Sequence, residues 1–313
     1  MNAPVSGEKI AVLAGGPSCE REISLLSGKA VAEALRSRGF DAALIDPVPG
    51  FQAELRERGI RRVFLALHGA FGEDGTVQRL LEKEGIAYTG SGPAASETAF
   101  DKARAQALFR SSGIPVPDFR VVRAGEAVPA VPVPCVVKPA KAGSSVGITI
   151  VRHSGALEGA VREALRYSDE ALIENYVQGR ELTVGILGDR PLPIVEILPK
   201  RGFYDYEAKY GESGTTYDVP AKLTARQVDA VTAAGLAAYR ALGCSVFART
   251  DVLLDGRDEP WVLEVNTIPG LTGKSLLPKA ARAAGIDFPD LCVKILQLSV
   301  SPRKVGVADG QTG

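Results

Sequence analysis

Residues 249–266 read RTDVLLDGRDEPWVLEVN and hold two apolar runs on either side of a turn sequence. The aspartate, glycine and proline residues between the runs favour a β-hairpin. Because side chains alternate along a strand, simple antiparallel pairing puts Asp251 opposite Glu264 and Arg249 opposite Asn266. The pattern therefore predicts two carboxylates that face each other across a strand pair.

Facing carboxylates destabilise a sheet unless a cation lies between them. Asp251, Glu264 and the Asn266 amide offer only oxygen ligands, which suits Mg²⁺ shared with phosphate groups. The three residues are therefore candidate metal ligands. The alternative is a solvated hairpin in which Arg249 pairs with Asp251, but the apolar residues around them favour a buried sheet.

Composition restricts the classes of function. The chain has 313 residues, 45% of them hydrophobic, which is enough for two or three domains. Lysine plus arginine and aspartate plus glutamate both number 37, and this zero net charge argues against nucleic acid as a partner. With neither a signal-peptide core nor an apolar run long enough to span a membrane, we expect a cytoplasmic protein with no membrane contact. Its four scattered cysteines are expected to be reduced.

The N-terminal part of the chain alternates apolar strands with amphipathic helices, which predicts a small parallel α/β unit. The predicted elements are strands at 9–14, 41–45 and 62–67 and helices at 23–35 and 77–84. The glycine pair Gly15-Gly16 follows the first strand, but the third glycine of a dinucleotide fingerprint is missing. A nicotinamide cofactor is therefore not expected.

A second unit is predicted from about residue 95, beginning with a helix over 96–111. An apolar run then ends at Lys138, and the glycine- and serine-rich loop 139–147 leads into a strand at 148–151. A Walker loop runs from a strand into a helix, so this loop is expected to cover phosphates as a hairpin, using its backbone N–H groups.

The remaining chain is predicted to form strands at 171–177 and 181–187 and helices at 224–242 and 287–298. The stretch from 200 to 220 is irregular and rich in tyrosine and glycine. Loops of this length usually carry function, and we expect this one to close over a bound nucleotide.

Taken in order, these motifs resemble the ATP-grasp fold and, along nearly the whole chain, the D-alanine:D-alanine ligase family. The stretches that carry the resemblance are GGPSCEREIS at 15–24, LHG at 67–69, GEDG at 72–75, YTGSG at 88–92, GSSVG at 143–147, FYDYEAKY at 203–210 and EVNTIPGLT at 264–272.

The resemblance implies a mixed α/β and α+β architecture. Residues 1–95 would form a Rossmann-like α/β domain that holds the first D-alanine. Residues 96–182 and 183–301 would form the two ATP-grasp units that enclose ATP, the second of them also holding the metal and the second substrate. Residues 302–313 are polar and are expected to be a disordered tail. A homodimer formed through the first domain is also implied.

The family's ligands are ATP, two Mg²⁺ ions for which Mn²⁺ is a possible substitute, and two molecules of D-alanine. By resemblance, ATP would be bound by Lys102, Lys138, Ser145, Glu174, Asn175, Tyr176, Val177, Glu181 and Lys209. The metal ions would be held by Asp251, Glu264 and Asn266, in agreement with the pattern of the hairpin.

The resemblance also implies a catalytic group made of Glu20, Ser144, Tyr210, Arg249, Gly270 and Ser275. Glu20 would pair with the ammonium group of the first D-alanine, and hydrogen bonds from Ser144 and Tyr210 would link it to the loop. Arg249 and the Gly270 N–H would bind the oxyanion.

Ser275 would help to hold the carboxylate of the second D-alanine, with Lys274 as a nearby cation. His68 is expected to be structural, and no residue is assigned as the base that deprotonates the incoming amine.

The implied reaction is ATP-dependent formation of D-alanyl-D-alanine through an acyl phosphate, for peptidoglycan precursors. Tyr210 in its Glu-Ala-Lys-Tyr context resembles the dipeptide-forming enzymes. The alternatives are another carboxylate ligase of this fold, such as a D-alanine:D-lactate ligase, and a non-catalytic ATP-binding regulator. The regulator is disfavoured because the chain retains every implied metal and oxyanion group.

Overall fold

A computed structural model of the chain describes residues 7–144, 146–199 and 214–299. The predicted site residues Ser145, Lys209 and Tyr210 lie outside the described residues, as do most of the tyrosine-rich stretch and the predicted tail. The described residues form three sheets, each covered by helices.

The first sheet is parallel and has the strand order β2-β1-β3-β4. Its strands are Lys9–Leu13 (β1), Asp41–Ile45 (β2), Arg62–Leu65 (β3) and Ala87–Tyr88 (β4). Three helices connect them: Arg21–Ser37 (α1), Phe51–Glu57 (α2) and Thr76–Lys83 (α3). The predicted parallel α/β unit is confirmed, and its strand ends point toward the site described below.

The second sheet is antiparallel, with the order β5-β8-β6-β7. Its strands are Phe119–Arg123 (β5), Cys135–Pro139 (β6), Thr149–Val151 (β7) and Glu170–Asn175 (β8), and helix α6 at Leu157–Ala164 packs on it. The pairing of β6 with β7 confirms the predicted strand, loop, strand arrangement around the glycine-rich loop.

The third sheet has the order β12-β11-β9-β13-β14, with β10 paired to β9. Its strands are Gly179–Leu187 (β9), Arg190–Pro191 (β10), Val195–Leu198 (β11), Thr216–Asp218 (β12), Phe247–Asp255 (β13) and Pro260–Asn266 (β14). The predicted hairpin is the β13–β14 pair, in which Asp251 lies opposite Glu264 and Arg249 lies opposite Asn266. The register shifts by one residue just after Asp251.

Strands β8 and β9 follow each other closely in the chain but belong to different sheets. Each sheet forms its own pairings, β8 between β5 and β6, and β9 between β11 and β13. The connection 176–178 therefore carries the chain from the second sheet to the third, rather than making a hairpin.

The expected single helix over 96–111 is wrong: the chain forms two helices, Pro93–Phe100 (α4) and Lys102–Ser111 (α5). Asp101 separates them because its backbone is extended and its side chain accepts a hydrogen bond from the Arg104 N–H. Aspartate is a favoured N-cap residue for this reason. The break makes Lys102 the first residue of α5.

Three further helices complete the described structure: Ala225–Ala241 (α7), Leu276–Ala283 (α8) and Phe288–Gln297 (α9). Thr224 and Gln227 form a capping box at the start of α7. Side chains of α8 and α9 join the core of the first sheet, whereas those of α5 join the core of the third. How the chain divides into domains stays a prediction. Across the described ranges, every helix is too short or too polar to cross a lipid bilayer.

Candidate active site

A cavity of about 350 Å³ lies where the first sheet, the glycine-rich loop and the β13–β14 hairpin meet. It brings together eight residues that were predicted from the sequence: Glu20, Lys102, Ser144, Arg249, Glu264, Asn266, Gly270 and Ser275. These residues come from widely separated parts of the chain, and convergent polar groups in one concave site are typical of a ligand-binding centre.

Glu20 immediately precedes α1, and its carboxylate lies against two glycines from different loops. A methyl group built on Gly69 would lie 2.6 Å from Glu20 Oε2, and one built on Gly143 would collide with the same oxygen. Ser144 donates a hydrogen bond to Glu20 Oε1. This hydrogen bond joins Glu20 to the glycine-rich loop, whereas the predicted link through Tyr210 to the stretch 200–220 lies outside the described residues.

The hairpin carries its charged groups next to the cavity. Arg249 forms two hydrogen bonds of 2.8 Å with the Asp251 carboxylate, and Thr183 Oγ1 donates to Asp251 Oδ1 at 2.7 Å. The Arg249–Asp251 pairing matches the alternative prediction, but the hairpin is not a solvated ribbon. The two side chains are only 12% and 16% exposed, and flanking Val252 is fully buried.

Lys102 connects the hairpin to the glycine-rich loop. Its ammonium group lies 3.3 Å from Glu264 Oε2 and donates to the Ala142 carbonyl at 2.7 Å. Its backbone N–H donates to Ala140 O at 2.9 Å. Because Lys102 is the first residue of α5, this arrangement depends on the helix break at Asp101.

The donor set of the hairpin fits a hard divalent cation. Asp251 and Glu264 are in register, and Asn266 Oδ1 accepts a hydrogen bond from the Ile268 N–H, which fixes the amide. All the available ligand atoms are oxygens, as Mg²⁺ prefers. In the part of the chain that the structure describes, histidine, cysteine, aspartate and glutamate form no group of three that could hold a metal without the amide.

A second polar group lies under the glycine-rich loop. Lys138, at the end of β6, pairs with Glu174 Oε1 at 2.6 Å, and the two residues are only 5% and 3% exposed. Gln106, which was not predicted from the sequence, also donates a hydrogen bond from its amide to Glu174 Oε1. A small adjoining cavity is lined by Lys102, Lys138 and Glu264. Lys138 therefore lies between Glu174 and the loop predicted to cover phosphates.

The predicted adenine-binding segment follows Glu174. The N–H groups of Asn175 and Tyr176 donate to the carbonyls of Asp118 and Pro134, at 2.8 and 3.3 Å. These two N–H groups are engaged within the protein, so the segment would offer its carbonyls and the Val177 N–H to a base. Glu181 is partly buried on β9, opposite Leu253 of β13.

Gly270 and Ser275 also line the cavity. A methyl group on Gly270 would lie 3.0 Å from Ser275 Oγ, so the two residues are close neighbours. Ser275 Oγ accepts from the Thr272 N–H at 3.1 Å, and the residue directly precedes α8. The free N–H groups in the first turn of a helix favour an anionic ligand. Lys274 also borders the cavity.

Two further ionisable residues border the cavity. Burial lowers the pKa of His68 to about 4, with a smaller contribution from the charge of Arg249, and His68 Nε2 lies 3.0 Å from Ser27 Oγ. His68 is therefore neutral at ordinary pH, as expected for a structural histidine. Glu73 lies in the GEDG motif, for which the sequence predicted no role.

The cavity thus combines a carboxylate that can receive an ammonium group, lysines near the glycine-rich loop and an oxygen-rich hairpin. Comparison with known proteins agrees with this combination. Family models of the D-ala D-ala ligase N-terminus and C-terminus match residues 46–91 and 108–297. A D-alanine--D-alanine ligase of Methylacidiphilum infernorum is 49% identical, covering 95% of this chain and 97% of that protein.

The chain belongs to the D-alanine:D-alanine ligase family. Another ligase of the family, from Citrifermentans bemidjiense, is 48% identical over 93% of this chain and 95% of its own length. The crystal structure of the D-alanine--D-alanine ligase from Bacillus anthracis superposes with a TM-score of 0.84, at 36% identity, over 93% of this chain and 97% of that one.

The Bacillus anthracis ligase complexed with ATP gives a TM-score of 0.82 at 33% identity, over 93% of this chain and 97% of that one. The VanG D-Ala:D-Ser ligase from Enterococcus faecalis gives 0.78 at 29% identity, over 94% of this chain and 99% of that one. These structural similarities confirm that the chain has the predicted ATP-grasp fold.

Proposed function

We propose that this protein joins two D-alanine molecules into D-alanyl-D-alanine, with ATP as the phosphoryl donor. The observation that carries the proposal is the contact between Glu20 and Ser144 at the edge of the cavity. It couples a carboxylate suited to the ammonium of an amino acid directly to the loop suited to phosphates, which is the juxtaposition that phosphorylation of an amino acid carboxylate requires.

In the first step, a carboxylate oxygen of the first D-alanine attacks the γ-phosphorus of ATP, so an acyl phosphate forms and ADP leaves. Two anions must approach each other, so cations are needed around the transferred group. Lys102 and Lys138 supply positive charge beside the glycine-rich loop, and Lys209 and Ser145 would complete the phosphate contacts. Glu20 orients the amino acid by its ammonium group.

Asp251, Glu264 and Asn266 would hold Mg²⁺, with Mn²⁺ as a possible substitute, and two ions are proposed. When bound, these ions neutralise phosphate charge during transfer. In the structure, Arg249 pairs with Asp251 and Lys102 pairs with Glu264. These ion pairs hold the two partly buried carboxylates in position.

In the second step, the amine of the second D-alanine attacks the acyl carbon, and phosphate leaves from the tetrahedral intermediate. Arg249 and the Gly270 N–H are the donors for its oxyanion. Fixed donors of this kind contribute about 2.7–4 kcal/mol each to transition-state stabilisation. Ser275 and the first turn of α8 receive the carboxylate of the second substrate, and Tyr210 is proposed from the resemblance alone to help Ser144 to fix Glu20.

On the nucleotide side, Glu174 and the segment from Asn175 through Tyr176 to Val177 would bind adenine, and Glu181 would bind the ribose hydroxyls. A charged acceptor strengthens such hydrogen bonds. The burial of Glu174 and its pairing with Lys138 support this assignment, because both fix the carboxylate in one orientation.

We further infer that the product serves peptidoglycan synthesis in the cytoplasm, without nucleic acid or membrane as partners. The proposed domains are 1–95, 96–182 and 183–301. A homodimer through the first domain is proposed from the family resemblance, and the exposed apolar side chains of Leu44 and Val48 near the β2 edge support it.

The function is tested by measuring ADP release with D-alanine alone, with D-alanine plus D-lactate, and with L-alanine. We expect release with D-alanine alone and D-alanyl-D-alanine as the product. Activity with L-alanine but not D-alanine would overturn the proposal, and an ester product only in the presence of D-lactate would favour the depsipeptide ligase instead.

A further inference from the structure

Glu73 is a buried carboxylate at the cavity for which the proposed mechanism has no use. It is 9% exposed and borders the same cavity as Glu20. Its Oε2 accepts a hydrogen bond of 2.5 Å from the Gly69 N–H. This bond fixes the side chain without neutralising it, since a backbone amide carries no net charge.

Gly69 brings the two carboxylates together. Glu73 Oε2 accepts a hydrogen bond from its N–H, and Glu20 Oε2 lies 2.6 Å from the position that a Cβ atom on Gly69 would occupy. Among residues 7–144, 146–199 and 214–299, no lysine, arginine or histidine forms a salt bridge with either carboxylate. Lys102, the cation that acts on Glu73 from a distance, is paired with Glu264.

A buried carboxylate without a cation is costly, and the protein compensates by favouring its neutral form. Burial, together with the charges of Glu20 and Glu264, raises the pKa of Glu73 well above its ordinary range. The group that would relieve this cost is a small cation placed in the cavity between Glu20 and Glu73.

We propose that Glu73 is a second recognition carboxylate, which together with Glu20 holds the ammonium group of the first amino acid substrate. The inference rests on the proposed function, whose substrate carries such a group. An ammonium has three donors and benefits from more than one charged acceptor. The proposed role also gives a reason for the carboxylate after Gly72, because the rest of this motif only turns the chain toward α3.

The test replaces Glu73 by glutamine. Glutamine keeps an acceptor for the Gly69 N–H and nearly the same shape, but it removes the negative charge. We expect the half-saturating D-alanine concentration to rise about tenfold or more, the usual effect of losing one charged hydrogen bond. Propionate has the carboxylate but lacks the ammonium, so its inhibition constant should change less than twofold.

The matched control is Asp74→Asn. Asp74 is the neighbouring carboxylate of the motif and accepts from the Phe71 and Thr76 N–H groups, but it does not border the cavity. This variant should leave the half-saturating D-alanine concentration and the inhibition constant of propionate unchanged. If Glu73→Gln does not fold, Glu73→Asp provides the test: it keeps the charge and should retain the preference for D-alanine over propionate.

Three outcomes would overturn the inference. Glu73→Gln could leave the half-saturating D-alanine concentration unchanged, or it could weaken the binding of D-alanine and propionate equally. Glu73→Asp could lose the preference for D-alanine over propionate. Wild-type activity separates this failure from failure of the proposed function. If the wild-type protein makes no D-alanyl-D-alanine, the function is wrong; if it does and Glu73→Gln behaves like wild type, only the role of Glu73 is wrong.

Discussion

Replacing Gly143 by alanine should disable the site without unfolding the protein. A methyl group at this position would collide with Glu20 Oε2 and would lie 3.1 Å from Glu20 Cδ, whereas ordinary contact begins near 3.4 Å. The backbone of Gly143 is not left-handed, so alanine introduces no conformational strain there. The collision is therefore the main effect expected.

The carboxylate has little room to move, because Gly69 approaches the same oxygen from another loop. A retreat of about 1 Å would break the hydrogen bond from Ser144 and misplace the first substrate, and misplacements of this size cost on the order of 100-fold in rate. We therefore expect kcat/KM for D-alanine to fall about 100-fold in Gly143→Ala.

The assay is ADP release at varied D-alanine concentration, combined with thermal unfolding. Gly159→Ala is the matched control, because Gly159 lies in α6 with nothing within 4 Å of a new methyl group. It should leave turnover unchanged and raise stability by about 0.5–1 kcal/mol through helix propensity. Wild-type kcat/KM in Gly143→Ala would refute the close packing of Glu20 against the loop.

Three other changes test different parts of the site. Glu264→Gln should fold normally but lose most of its turnover and its response to Mg²⁺; unaltered turnover in a metal titration would contradict the metal assignment. Lys138→Met should lower the free energy of unfolding by about 3–5 kcal/mol in urea denaturation, because it leaves the buried Glu174 carboxylate with the Gln106 hydrogen bond but without a cation. An unchanged urea midpoint would argue against that ion pair. The unfolded state protonates His68 below pH 6.5, whereas the folded state does so only near pH 4, so between these values stability should fall with decreasing pH by up to about 1.4 kcal/mol per unit. His68→Gln should flatten this part of the pH curve, and an identical curve would show that His68 is not buried in neutral form.

The features that the sequence predicted well depend on short-range patterns. The hairpin register at Asp251 and Glu264 follows from alternation and turn residues alone. The glycine-rich loop was equally predictable, because the two strands that it connects, β6 and β7, are consecutive in the chain. The family resemblance then supplied residues such as Glu20, which no local pattern would select.

The features that could not be predicted from the sequence depend on tertiary packing. The helix break at Asp101 is hidden because the helix-forming residues on both sides make one continuous pattern, and a single N-cap aspartate is a weak signal. The short connection between strands β8 and β9 does not reveal that they belong to different sheets, because their pairing partners lie elsewhere in the chain.

The environment of Glu73 also became visible only in three dimensions. Its motif indicates a turn, and only the folded chain brings Gly69 and Glu20 beside it. The pairing of Lys138 with Glu174, and the contact of Gln106 with the same carboxylate, join three elements that are distant in sequence. Such contacts could be anticipated only by knowing the strand order.

The acyl-phosphate route is tested most directly with D-alanine labelled with ¹⁸O in its carboxylate. Attack of that carboxylate on ATP, followed by attack of the amine, should transfer one labelled oxygen to the released phosphate, detectable by ³¹P NMR or mass spectrometry. We predict one ¹⁸O per phosphate for each D-alanyl-D-alanine formed. Dipeptide formation with unlabelled phosphate would contradict the account.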